Sequence, residues 1–156
     1  MRVESKRVLW RVILFAWAGM LMEVFFTAAF AFKSGNWSLH GHSSPWMMLD
    51  YGLLGVALMP LAGPLIRCGV PLAVRAGVYM LGIFAVELVS GWVFDWCGLS
   101  IWDYSRLPCN LHGYVTLLYA PLWYGLGLCL ESLYRRIDAM ARVLALGLTA
   151  EGIPAR

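Results

Sequence analysis

A chain of 156 residues that is 61% hydrophobic and 13% charged falls well short of the ~25% charged content of a soluble domain. Its mean hydropathy of +0.70 excludes the polar shell that solubility in water demands. The net charge of +3 gives no sign of nucleic-acid binding, because the basic residues collect at the ends of hydrophobic runs, where topology signals sit. The composition is that of an integral membrane protein with one domain, residues 1–156.

The first residues, Met1 to Arg7, could open a secretory signal. The apolar run that follows is about 20 residues long, against the ~7–15 of a cleaved signal core, and it contains Glu23. It reads as a retained spanning helix over 12–32. A second span is expected over 47–66, with Asp50 near its start. That run holds Gly52, Gly55, Gly63, Pro60 and Pro64. Proline removes a backbone donor and crowds the preceding turn, so a kinked helix is expected, its freed carbonyls satisfied by neighbouring groups. A simple packing kink is the plainer reading of the same residues. The third span, over 76–94, carries Glu87. The fourth, over 113–130, ends at Glu131.

Beyond it, Leu133, Ile137, Met140, Leu144 and Leu148 recur at helical spacing, and Glu131, Arg135, Asp138 and Arg142 recur on another face. That pattern predicts an amphipathic helix over 131–148 lying on the membrane surface, or an ordinary tail helix. Residues 149–156 are expected to be loose. The predicted fold class is all-α: four transmembrane helices followed by an interfacial amphipathic helix.

Lysine and arginine number four before the first span, one after it, two after the second, one after the third and four after the fourth. Four spans with both termini cytoplasmic satisfy the positive-inside rule throughout. A faint repeat also runs through the chain. Gly19 precedes Glu23 as Gly82 precedes Glu87, and Gly52 precedes Pro60 as Gly113 precedes Pro121. Two parallel hairpins related by an axis along the membrane normal would explain it, as would coincidence among glycine-rich helices.

Glu23 and Glu87 are the leading functional residues. A carboxyl group at the centre of a spanning helix costs on the order of 2.5–3.5 kcal/mol on insertion scales. The pair reads as a proton-binding or substrate-orienting site. The plainer alternative is two structural carboxyls hydrogen-bonded to Trp, Tyr or Ser. If close, they would share a proton and titrate together.

The segment from Asp95 to Gly113 carries Trp96, Trp102 and Tyr104, which suit the headgroup level, among the polar groups Asp103, Ser105, Asn110 and His112. Asp103 between Trp102 and Tyr104 is expected to fix a turn of Asx type, or to recognise a lipid headgroup or polar substrate. Cys97 and Cys109 flank this segment, on the oxidising side of the predicted topology, and could staple it. His40, His42 and His112 with Asp50 and Asp103 do not make a convincing metal set, and no metal or other cofactor is expected. Asn36-Trp-Ser matches a glycosylation sequon.

Glu87-Leu-Val-Ser-Gly-Trp92, then Trp102-Asp-Tyr-Ser105, Pro108, Asn110 and Gly113, resemble the signature of the CmpB-type "putative ABC-transporter permease" family of small polytopic membrane proteins. The resemblance runs through roughly residues 12–134 and is strongest over 87–113. It implies a transport-related component, with Glu23 at the family's first-helix glutamate and Trp92, Trp102, Asp103, Tyr104 and Asn110 as further candidate site residues. This chain has no P-loop motif and cannot itself bind ATP in that manner. A homo-oligomer or a separate transporter subunit is therefore expected to complete any pathway, with membrane lipids as the remaining partners. The rival reading is an intramembrane enzyme acting on a lipid or isoprenoid, with a protonated Glu as general acid. A third is a bundle with no chemistry.

Overall fold

The computed structural model describes residues 2–33, 35 and 37–147. Four long helices dominate: α1 (Val3–Lys33), α2 (Met47–Arg67), α3 (Leu72–Trp96) and α4 (Ala120–Leu146). A two-stranded antiparallel hairpin, β1 (Asn110–Leu111) and β2 (Val115–Thr116), and a 3-10 turn over Leu117–Tyr119 lead into α4. Leu148, Asn36 and residues 149–156 lie outside the described residues, and with them the expected end of the apolar stripe, the sequon and the loose tail.

Three helices are long and apolar enough to cross a membrane: Val3–Ala29 within α1, Met47–Arg67 and Leu72–Trp96. Their outward faces are apolar, as lipid requires: Trp17, Leu21 and Phe25 form an exposed stripe on α1, and Leu81, Val89 and Trp92 are exposed on α3. α2 runs as one helix through Pro60 and Pro64.

α2 and α3 both stop at their C-terminal ends by the same device. Gly69 and Gly98 take left-handed φ of 69° and 75°. Each lets the next residue's N–H reach back five residues: Val70 donates to the Leu65 carbonyl and Leu99 to the Phe94 carbonyl. This is the Schellman geometry, which only glycine adopts without cost.

The chain divides into two compact units. The first comprises residues 1–58 and 133–156. Its core holds Phe15, Ala16 and Ala28 of α1, Leu58 of α2, and Tyr134, Ile137, Ala141 and Ala145 of α4. α1 and α2 cross closely at Gly55, where a Cβ would come within 2.9 Å of the Val12 backbone. Phe15 and Tyr134 rings meet at 5.8 Å. Asp138 binds Arg7 and accepts from Arg11 at 2.8 Å. Arg11 also donates to the Gly55 carbonyl and lies 5.0 Å from the Tyr134 ring centroid.

The second unit spans 59–132. Its core holds Ala62, Ala76, Tyr79, Phe94, Val115, Thr116 and Leu130. α3 and α4 approach at Gly127, where a Cβ would meet the Ala76 carbonyl oxygen at 2.8 Å. Nearby, Arg75 grips Glu131 with both arms, at 2.7 and 3.0 Å, and Tyr79 donates to the same carboxylate at 2.7 Å.

Two expectations need revision. The helix expected from Gly113 begins at Ala120, because Gly113, with φ of 76°, sits in the hairpin turn and residues 117–119 form the 3-10 turn. Only residues 120–130 then precede Glu131, about half of the ~20 that a span needs. Burial along α4 is mixed. Glu131, Tyr134 and Ala141 are buried and Asp138 is half-buried, whereas Met140 and Leu144 are exposed. The covered positions are the carboxylates, Tyr134, small residues and Ile137 of the apolar stripe. Finally, the four cysteines are free thiols, Cys97 and Cys109 included.

Candidate functional site

In the first unit, Glu23 occupies a half-buried position on α1. Its Oε2 accepts two hydrogen bonds, from Ser43 Oγ at 2.8 Å and from Tyr51 OH at 2.8 Å. Tyr51 reaches it because Gly19 lies one turn earlier on the same face. A Cβ on Gly19 would sit 2.0 Å from the Tyr51 ring. The segment 41–44 forms a strap along α1. Gly41 lies so close that a Cβ there would meet the Val24 carbonyl oxygen at 1.9 Å. Thr27 Oγ1 donates to the His42 carbonyl at 2.9 Å, and the His42 N–H lies 2.8 Å from the same hydroxyl oxygen. Ser43 then reaches Glu23. Among the described residues, no Lys or Arg bonds this carboxyl group; its partners are hydroxyls.

In the second unit, Glu87 is half-buried on α3, with Oε2 shielded from solvent. Tyr119 lies within electrostatic reach of it. The Tyr119 ring packs edge-on against Tyr104 at 5.4 Å and against Trp123 at 6.4 Å. Trp123 Nε1 is a buried donor with no hydrogen-bond partner among the described residues. Ser90, one turn from Glu87, spends its hydroxyl on the Val86 carbonyl. Trp92 is 63% exposed and stands apart from this cluster.

The α3–α4 connection folds back on its own unit. Trp102 Nε1 donates to the Tyr114 carbonyl at 2.9 Å, and its ring packs edge-on against Phe94 at 5.9 Å. Asp103 accepts from the Ser105 N–H at 2.8 Å and from Ser105 Oγ at 3.0 Å. That is an Asx turn, as the residue type suggested. These bonds, with the nearby positive charge of Arg106, hold the Asp103 carboxyl below its ordinary pKa, so it is ionised at neutral pH. Asn110 Nδ2 donates to the Ser105 and Leu107 carbonyls, and its Oδ1 accepts from the Gly113 N–H. The Tyr104 N–H donates to the Gly113 carbonyl at 2.8 Å. Buried Thr116 donates to the Pro108 carbonyl at 3.0 Å. Trp102, Asp103, Tyr104 and Asn110 therefore build the loop. Between this loop and the end of α3 lies a cleft of about 320 Å³.

Among the described residues no cluster of three or more metal-binding side chains occurs. Sequence reasoning missed Ser43 and Tyr51 as partners of Glu23, and Arg75 and Tyr79 as partners of Glu131. The glycine one turn before Glu23 was the available signal, since it opens room for a ring.

No solved structure matches the chain. Residues 10–148 match the family described as "Putative ABC-transporter type IV", ABC_trans_CmpB. With three helices apolar enough to span the bilayer, the chain is a multi-pass membrane protein with a transport-related family. It belongs to the CmpB-type ABC-transporter family.

Proposed function

We propose that the protein is a permease-like membrane component in which Glu23 and Glu87 are exchangeable proton or substrate sites. One observation carries the reading: the Glu23 carboxyl, on a lipid-spanning helix, is bound by the hydroxyls of Ser43 and Tyr51 and by no guanidinium or ammonium among the described residues. Hydroxyls can donate to a carboxylate or accept from a carboxylic acid. Such a site accommodates gain and loss of a proton without rebuilding its surroundings. An intramembrane acid with that freedom is functional by default.

Both termini face the cytoplasm in this reading, with α4 as a fourth crossing whose Glu131 charge is neutralised by Arg75. The lysine and arginine alternation supports it. The absence of a P-loop motif from this sequence supports a separate ATPase subunit as partner.

Infrared difference spectroscopy of the full chain in bilayers, titrated with pH, tests the carboxyl reading. Two protonated-carboxyl bands are expected, one lost in Glu23→Gln and one in Glu87→Gln. Titration identical in wild type and both variants would remove the proposal. Reporter fusions after Arg142 and within residues 35–44 test the topology, and an externally active reporter at Arg142 would refute it.

A further inference from the structure

We infer that the cleft between the end of α3 and the α3–α4 loop binds an alkylammonium group. The site is independent of the two glutamates. Its volume of about 320 Å³ falls at the small end of ligand pockets, enough for a headgroup-sized amine. Phe94 and Trp102 supply aromatic wall, and Tyr114 a ring with its hydroxyl turned to Asp95. Asp95 and Asp103 are the charged lining residues. No Lys or Arg lines the cleft among the described residues; Arg106, whose charge reaches Asp103, is not part of the lining. His112 and Ser105 add further polar groups.

The chemistry selects a cation with some apolar surface. Two carboxylates favour positive charge, and aromatic faces attract ammonium groups through their quadrupoles. An anion would meet two like charges. The carboxylates are also preorganised. Asp95 Oδ2 is oriented by Tyr114 OH at 2.9 Å, and Asp103 by both donors of Ser105. The cleft's shape depends on two glycines: a Cβ on Gly91 would meet the Tyr114 ring at 2.9 Å, and one on Gly113 would meet Asp103 Oδ1 at 3.0 Å. Helix α3 ends here beside exposed Trp92 and Trp96, the residue type that marks the bilayer interface. An ammonium presented at that level comes either from an ethanolamine-type lipid headgroup or from a free amine.

The test uses full-length protein labelled with 5-fluorotryptophan in nanodiscs of phosphatidylglycerol, with the Trp102 resonance assigned by Trp102→Phe. Ethanolamine is titrated in, and a second disc is built with phosphatidylethanolamine. The expected result is a saturable shift of the Trp102 resonance, weakened roughly tenfold or more by Asp95→Asn or Asp103→Asn. Asp95→Asn keeps an acceptor for Tyr114, and Asp103→Asn keeps one of the two acceptors that Ser105 uses; unchanged resonances for the other tryptophans verify folding. A shift already present in phosphatidylethanolamine discs identifies the lipid headgroup as the source. A shift with ethanolamine alone identifies a soluble amine. No shift with either probe, or one that survives both substitutions together, overturns the inference.

Discussion

Glu131 and Glu23 are both carboxylates on long helices, and their surroundings share almost nothing. Glu131 is buried, with a bidentate guanidinium from Arg75 and a hydroxyl from Tyr79. Protonating it would remove the counter-ion of Arg75. Glu23 is half-buried, and both its partners are hydroxyls that converge on one oxygen. Those partners serve either protonation state. The first arrangement locks helices together. The second holds a side chain in place through neutral hydroxyls, with no cation bonded to it among the described residues. An acid in an apolar segment is therefore classified by its partners more than by its depth.

The strongest way to break this comparison is at Glu131. Glu131→Leu leaves the guanidinium unpaired and should cost about 3 kcal/mol or more, since removing one partner of a buried pair is the costly case. Thermal unfolding in detergent reads the loss. The double variant Arg75→Met/Glu131→Leu should recover much of it, as well-packed apolar replacements of buried pairs do. A double variant no better than the single one would mean that the pair is incidental.

At the strap over Glu23 the effect is steric. Gly41→Ala puts a methyl against the Val24 carbonyl oxygen, so the strap must lift. A cost of about 2 kcal/mol is expected, typical of overpacking, and the Glu23 infrared band should shift as the Ser43 bond is lost. A stable variant with an unmoved band would show that the strap does not position Glu23.

Asp138 extends the ion-paired class. Arg7 and Arg11 depress its pKa, so the unfolded chain binds its proton at higher pH than the folded one does. The stabilisation is complete above the ordinary aspartate value of ~3.9 and fades as pH falls through the lower folded value. Asp138→Asn should lose about 1.5 kcal/mol at neutral pH and show a flatter fall in melting temperature below about pH 4. An unchanged acid limb would assign that limb to other groups.

The smallest effects are expected where the partners are neutral. Tyr51→Phe should cost about 1 kcal/mol, the worth of one hydrogen bond. Glu23→Gln should cost less than that, because the amide oxygen still accepts from Ser43 and Tyr51. A Glu23→Gln variant as damaged as Glu131→Leu would place Glu23 among the structural carboxylates and end the distinction.

Periodicity and hydropathy located α1, α2 and α3 because a spanning helix is written locally, in twenty consecutive side chains. The turn at Asp103 was legible for the same reason: its donor, Ser105, is two residues away. What escaped is non-local. Arg75 and Glu131 are 56 residues apart, and Tyr51 lies 28 from Glu23. The start of α4 was misplaced because Gly113 to Tyr119 is apolar enough to pass as helix, while its glycine and Thr116 serve a hairpin. The apparent repeat illustrates the same limit. Gly19 makes room for a ring, whereas a Cβ on Gly82 would find only ordinary contact with Leu61 at 3.6 Å. Gly52 lies within a helix against Val12, and Gly113 lies in a turn. Matching letters hold different jobs.

The ion pairs of α4 also impose an order on biosynthesis. Arg75 is translated 56 residues ahead of Glu131, and Arg11 and Arg7 are translated 127 and 131 ahead of Asp138. At ~5–20 residues per second, three guanidiniums wait for seconds at or in the bilayer before their carboxylates exist. Of the four helices, α4 thus carries the carboxylates that pair with arginines of α1 and α3. A chain stopped before residue 131 has three apolar helices but lacks the carboxylates that pair with Arg75 and Arg11, a costly state in lipid. Arrival of α4 supplies the carboxylates that the two earlier helices lack.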